Sequence, residues 1–307
     1  MTVESGTLAE PKPFRVLVDE AMALTRRFFR PIYPSVAIPV SLISVFFTVV
    51  QSWWVSGFVK GSVGAKPDLS TILPGCMGVA VAILITVIVQ TLANTAMVAA
   101  CVDAVDGKAI DMGRSWRFVA SARVLGTLLI VWILVGIGLI LLILPGFYFM
   151  LVFSLTAVVM AAEGLFGPAA LSRSKKLVSY NPEKKFIANP KTKIGALFLI
   201  AWIIGSVVGA LVHLPFTIVQ NLVMAHRISS GAPPDTAAMM RGMLWLQIPA
   251  TFLSSLVSMA VAMYTSFGIA LLFFDIRRRK EGIDLEEAIA RLAGKTPAVE
   301  PGFAPSS

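Results

Sequence analysis

"VLGTLLIVWILVGIGLILLILPGFYFMLVFSLTAVVMAA", residues 124–162, is a 39-residue run without a single Asp, Glu, Lys or Arg. As one helix it would reach roughly 58 Å, about twice the hydrocarbon core of ~30 Å, so it must fold back on itself. Leu144-Pro145-Gly146 lies inside it, and a proline followed by glycine ends one helix and supplies a turn. The run therefore reads as two antiparallel membrane spans, 124–143 and 147–162.

Four further windows lack charge: 31–59, 69–102, 194–226 and 242–274, with 29, 34, 33 and 33 residues. Each exceeds the ~20 residues a spanning helix needs. With 57% apolar and 14% charged residues, the composition is far from that of a soluble domain, which is about one quarter charged. The predicted class is all-α, a polytopic membrane protein with six transmembrane helices near 32–55, 72–101, 124–143, 147–162, 194–214 and 246–274. These form one membrane domain over 13–292, between a flexible N-terminus (1–12) and a disordered C-terminal tail (293–307). "MTVESGTLAEPKP" lacks the basic start and apolar run of a signal peptide, so the first span is expected to direct insertion.

Sorting the bases tests the span count, because cytoplasmic loops collect Lys and Arg. In the six-span arrangement 22 of the 26 bases fall on one side, leaving Lys60, Lys66, Arg227 and Arg241 on the other. Adding or dropping a span would move whole clusters across. Both termini are expected in the cytoplasm, in a bacterial inner membrane. The net charge of +9 is spread over four juxtamembrane segments rather than one soluble face, which argues against a nucleic-acid partner and for attraction to the phospholipid bilayer and its anionic headgroups. Arg26, Arg27, Arg114, Arg117, Arg173, Lys175, Lys176, Arg277, Arg278 and Arg279 are the candidate headgroup contacts.

Three segments on this side share a pattern: "TRRFF" (25–29), "SWRFV" (115–119) and "SKKLV" (174–178) each run hydroxyl, variable, base, apolar, apolar. Each precedes a pair of spans, so the chain reads as three repeats of amphipathic interfacial helix plus transmembrane hairpin. In the first, Phe14, Leu17, Val18, Ala21, Leu24 and Phe28 recur at helical spacing. Ala109, Met112, Gly113, Trp116, Val119 and Ala120 form the second face; Ala170, Leu171, Ser174, Leu177 and Val178 form the third. Such faces serve either to lie in the acyl boundary or to pack on the protein's own bundle, and the sequence leaves both open. An acid-glycine pair also recurs just after spans, at Asp106-Gly107, Glu163-Gly164 and Glu281-Gly282.

Two stretches, "LPGFYFMLVFSLTAVVMAAEGLFGPAALSRSKKLV" (144–178) and "LLFFDIRRRKEGIDLEEAI" (271–289), resemble the membrane-domain family attached to some bacterial glycerophosphoryl diester phosphodiesterases and also found alone. The marks are the Pro-Gly pair, Glu163-Gly164, Gly167 to Leu171 with a serine and bases, and Phe273-Phe274-Asp275 followed by bases. "EAMALTRRFFRP" (20–31) fits the family's opening helix. The resemblance implies a multi-spanning module whose own activity is unassigned. Hydrolysis in the fused proteins belongs to a separate soluble domain that the residues after Phe274 are too few to form, so no phosphodiesterase activity carries over.

Chemistry-bearing patterns are sparse. His213 and His226 have no third or fourth metal ligand nearby in the sequence, and Ser172 with Lys175 forms a Ser-x-x-Lys match without an oxyanion site. Cys76 and Cys101 stand about 37 Å apart on one helix and cannot bridge. No cofactor and no enzymatic activity are expected. Gln90 with Asn94, one helical turn apart, and Gln220 with Asn221 are polar groups at membrane depth, read either as interhelical contacts or as a polar intramembrane path. Gly205 and Gly209 mark a small-residue face for helix packing, in this chain or in a homo-oligomer. The favoured expectation is a non-enzymatic module that organises lipid or a protein partner at the cytoplasmic face. The alternative is a transporter or lipid flippase.

Overall fold

The computed structural model describes residues 13–62, 69–141, 143–180, 189–229 and 236–281. The terminal segments 1–12 and 293–307, and Gly282, lie outside them. Among the described residues the chain is wholly helical, with six stretches long and apolar enough to cross a membrane. α1 is Phe14–Ser62, α2 Leu69–Val105, α3 Met112–Val119, α4 Ala122–Leu141, α5 Ile143–Phe153, α6 Thr156–Glu163, α7 Gly167–Val178, α8 Pro190–Ser229 and α9 Thr236–Glu281.

The helices run well past the charge-free windows. Charged residues bound the apolar stretches but do not stop a helix, so α9 continues through its basic end to Glu281. Pro215 and Pro249 lie inside α8 and α9, as bundle helices permit. α1 carries its amphipathic segment and its span in one continuous helix that includes Pro31, Pro34 and Pro39, whereas the second and third copies of that segment are the separate short helices α3 and α7.

The Pro-Gly pair does not form the turn between the two central spans. Pro145 and Gly146 sit in the first turn of α5, where a missing N–H costs nothing. Gly146 is there for close packing on α4. A Cβ on it would stand 2.8 Å from the backbone nitrogen of Leu139, and one on Gly138 would stand 3.0 Å from the Cα of Gly146. Without side chains at these two positions the helices meet backbone to backbone.

The chain divides into two compact units, each discontinuous in sequence: 1–32, 95–201 and 263–307 form one, 33–94 and 202–262 the other. The first unit holds most of the fully enclosed side chains, among them Leu17, Ile32, Met97, Leu155, Met160, Leu177, Ile194, Leu197, Phe267 and Phe273. Gly268 of α9 lies against Leu197 of α8, where an added Cβ would meet the leucine side chain at 2.7 Å, and Phe28 stacks on Phe267 at 6.1 Å. The second unit presents much of its apolar surface outward, including Trp53, Leu84, Leu211, Leu222 and Trp245. In water such a surface would aggregate; in lipid it is the solvated surface, since acyl chains are as apolar as leucine.

Candidate functional site

The three copies of the repeated pattern have the same burial. Thr25, Ser115 and Ser174 are all buried, and the base two residues later, Arg27, Arg117 or Lys176, is exposed in each. Helical spacing explains this: a 200° rotation separates positions two apart, so an inward hydroxyl puts the base outward. The hydroxyls are satisfied within the protein. Thr25 donates to the carbonyl of Ala21 at 2.7 Å and Ser115 to that of Asp111 at 3.3 Å. Ser174 reaches across to the carbonyl of Val152 at 2.7 Å, in the last turn of α5 where the span breaks before α6.

The first and third amphipathic faces are largely covered by protein. Leu17 and Ala21 of α1, and Ala170, Leu171, Ser174, Leu177 and Val178 of α7, are buried. In α3 the buried residues are Ser115 and Val119, while Ala109, Gly113 and Ala120 of the expected face are exposed. Asp111 explains the offset, because it caps α3 by accepting from the N–H groups of Gly113 and Arg114 at 2.9 and 3.2 Å, which holds that edge at the surface.

The ten candidate bases sort into two groups. Arg26, Arg27, Arg114, Arg117, Lys175, Lys176 and Arg278 are exposed, and Arg27 lies over the Phe28 ring at 5.3 Å. Arg173, Arg277 and Arg279 instead face carboxylates of the protein. Arg173 grips Glu163 with bonds of 2.7 to 3.1 Å from two guanidinium nitrogens, and Arg277 approaches the same carboxylate at 3.8 Å. Arg279 pairs with Asp275 one turn earlier, at 2.8 and 2.5 Å. Lys280 donates to the carbonyl of Lys176 at 3.2 Å. Glu163, 11% exposed, thus joins the end of α6 to the middle of α7 and to the basic end of α9, a role its sequence context did not reveal.

The turn that permits this is built by the acid-glycine pairs. Gly107 and Gly164 follow the ends of α2 and α6 with φ of 73° and 65°, the left-handed conformation in which glycine ends a helix without strain. Gly164 donates to the carbonyl of Met160 at 3.2 Å. Gly167, φ 60°, opens α7 and donates to the Thr127 hydroxyl at 2.7 Å, so α4 supplies the cap that Phe166 cannot. At the first pair, Asp106 bonds Lys108 and holds its ammonium above the ordinary lysine range; both are well exposed, so the pair adds little stability.

The polar residues of the spans lie in the second unit. Gln90, Asn94 and Gln220 are half-buried and Asn221 is exposed. The Asn94 carboxamide oxygen is enclosed without a hydrogen-bond partner, as is the Ser41 hydroxyl. A Cβ on Gly205 would touch Val261 of α9 at an ordinary 3.9 Å, and one on Gly209 would meet nothing within 4 Å. Closer approaches are made elsewhere, at Gly78 against the Trp54 side chain and at Gly138, Gly146 and Gly268. Ser172 and Lys175 are both exposed on α7, and His213 and His226 are exposed on α8.

Comparison of the chain with family models, with curated proteins and with solved structures found no match.

Proposed function

We propose that this protein is a non-enzymatic module of a bacterial inner membrane, with both termini in the cytoplasm, that gathers anionic phospholipid around its basic side. The reading is supported above all by the shared burial of the repeats: three times, a hydroxyl lies on the buried face of a helix and the base two residues later lies on the outward face. The seven exposed bases are spread over α1, α3, α7 and α9, as a ring of headgroup contacts requires. The resemblance to a membrane module that occurs alone or beside a lipid-related hydrolase agrees with this role. Each base near an anionic surface is worth about 1 kcal/mol.

In vesicles of mixed phosphatidylglycerol and phosphatidylcholine at low salt, spin-labelled phosphatidylglycerol is expected to be enriched at the protein over its bulk fraction. Changing Arg27, Arg117 and Lys176 together to glutamine should remove most of that enrichment while helicity is retained. Equal proportions of the two lipids around the unaltered protein would end the lipid reading and leave a protein partner as the occupant of the basic side.

One observation favours transport as a second reading: the Asn94 oxygen is enclosed yet unpartnered, and buried polar groups left unsatisfied mark either strain or a site. Asn94→Leu separates the two. As a module without a path, the protein should tolerate the change or gain up to about 1 kcal/mol, because an unmet acceptor is removed. A transporter would lose flux with its thermal stability unchanged.

A further inference from the structure

The far end of the α4–α5 hairpin is built without polar side chains. From Leu128 to Phe147 the chain reads "LLIVWILVGIGLILLILPGF", in which the Trp132 indole is the single hydrogen-bonding side chain. At the tip Ile140, Leu141 and Leu144 are 87%, 72% and 81% exposed. A hairpin that crosses the bilayer delivers its turn to water, and turns that stand in water are polar. Here leucine and isoleucine would project into water instead.

The hairpin also stays beside the basic elements along its length, within the first unit. At its base, Gly167 opens α7 against the Thr127 hydroxyl of α4. Farther along, Ser174 of α7 bonds the Val152 carbonyl of α5, and the neighbouring Lys175 and Lys176 are exposed. Near the tip, the Lys191 ammonium of α8 lies 5.1 Å from the centre of the Tyr148 ring. This start of α8 is level with the basic end of α9, since Pro190 and Lys193 line one small pocket with Asp275 and Arg279. Ile143, where α5 begins, is about 8 Å from Tyr148 at helical rise. Added to the tyrosine side chain and the contact with Lys191, that places the tip within roughly 20 Å of the ammonium in any direction. An ammonium stays at the headgroups, because charge in hydrocarbon is costly. The tip therefore falls short of the far side of a ~30 Å hydrocarbon layer, although α4 and the stretch Leu144–Glu163 each have the 20 residues a crossing needs.

We propose that the α4–α5 hairpin does not cross the bilayer but lies in the leaflet on the basic side, beneath α7, with its tip among the acyl chains of that leaflet. The proposal rests on the reading that the basic side meets headgroups. α7 is the cover: its apolar face packs on α4, α5 and α6 while its lysines face out. Helices packed this way lie about 8–10 Å apart, so the hairpin sits at the depth of an interfacial helix. The backbone groups left open where α4 ends and α5 begins remain within reach of the headgroups there, which the middle of a bilayer does not allow. The hairpin enters and leaves on one face, so the sorting of bases and the common side of the two termini are unchanged. Apolar volume placed in one leaflet alone spreads that leaflet, and insertion of this kind is sensitive to curvature.

The test is a depth profile of the full chain in phosphatidylcholine vesicles. Cys76→Ser removes the exposed thiol, and the enclosed Cys101 stays. In that background Leu129→Cys, Ile133→Cys, Ile140→Cys and Leu144→Cys, all at exposed positions, each carry a nitroxide whose accessibility to oxygen and to a nickel chelate reports depth. Labels at Ile140 and Leu144 should be no shallower than the label at Ile133. A crossing hairpin gives the opposite profile, deepest near Ile133 and about 10 Å shallower again at Ile140, and that result overturns the proposal. Lys175→Cys supplies the reference and should read as outside the hydrocarbon. With that reference shallow, a peaked profile rejects the placement of the hairpin and leaves the basic-side reading standing; a Lys175 label deep in hydrocarbon rejects the basic-side reading and the proposal with it. Circular dichroism confirms the fold of each labelled protein, and Ile137→Cys on the same exposed face replaces any position at which helicity is lost.

Discussion

Arg173→Ala is expected to cost about 2–4 kcal/mol of stability, among the largest effects of any change to a charged residue in the chain. Glu163 is 11% exposed and Arg173 22%, and the fork of bonds between them is bidentate. Truncating the arginine leaves a largely enclosed carboxylate at the C-terminal end of α6, where the helix dipole already disfavours negative charge. Arg277 at 3.8 Å compensates in part, which places the cost below that of a fully orphaned buried charge. Arg173→Lys should recover only a fraction, because an ammonium cannot form the planar fork. Removing both charges, in Glu163→Gln with Arg173→Gln, should be milder than the arginine truncation alone. Unfolding in detergent, followed by tryptophan fluorescence, measures all four proteins; an arginine truncation within about 0.5 kcal/mol of wild type would show that Glu163 does not hold α6, α7 and α9 together.

That ion pair marks where the sequence ceased to be readable. Asp275 and Arg279 are one helical turn apart, so their pairing follows from spacing alone. Glu163 and Arg173 are joined only because Gly164 and Gly167 take left-handed conformations between them, and the direction of such a turn depends on what the next helix packs against. The six spans were legible because absence of charge over 29 to 39 residues has few readings in a helix-forming chain. Which face of each amphipathic segment is covered was only partly legible. Periodicity put Ala170, Leu171, Ser174, Leu177 and Val178 on one face without saying what covers it, and the structure buries that face; in α3 it grouped Ala109 and Gly113 with the apolar face, and the Asp111 cap holds that edge outward. Glycine was the least readable residue. Gly205 and Gly209 have the spacing of a packing face, yet tighter approaches fall at Gly78, Gly138, Gly146 and Gly268, because closeness is a property of two helices and spacing is a property of one.

Gly146→Val tests the most crowded of those approaches and should be severe. Its Cβ would stand 2.8 Å from the Leu139 backbone nitrogen, besides striking the leucine side chain. A side chain can rotate away; a backbone nitrogen in the last turn of α4 moves only if that turn does. Overpacking a tight site costs about 1–3 kcal/mol where neighbours can adjust, and here a β-branched residue meets main chain, so a loss of about 3 kcal/mol or more is expected. The consequence should travel along the chain. α4 and α5 would splay, Val152 would shift from the Ser174 hydroxyl it accepts at 2.7 Å, and the third repeat would lose its anchor to the span before it. Gly136→Ala is the control: a Cβ there meets nothing within 4 Å, and alanine in place of glycine in a helix is neutral or stabilising by up to about 1 kcal/mol. Reversible unfolding in detergent should therefore separate the two glycines, ten residues apart in a single hairpin, by several kcal/mol. Equal effects at both positions would mean that α4 and α5 do not meet through their backbones, and that Gly146 is present for its flexibility alone.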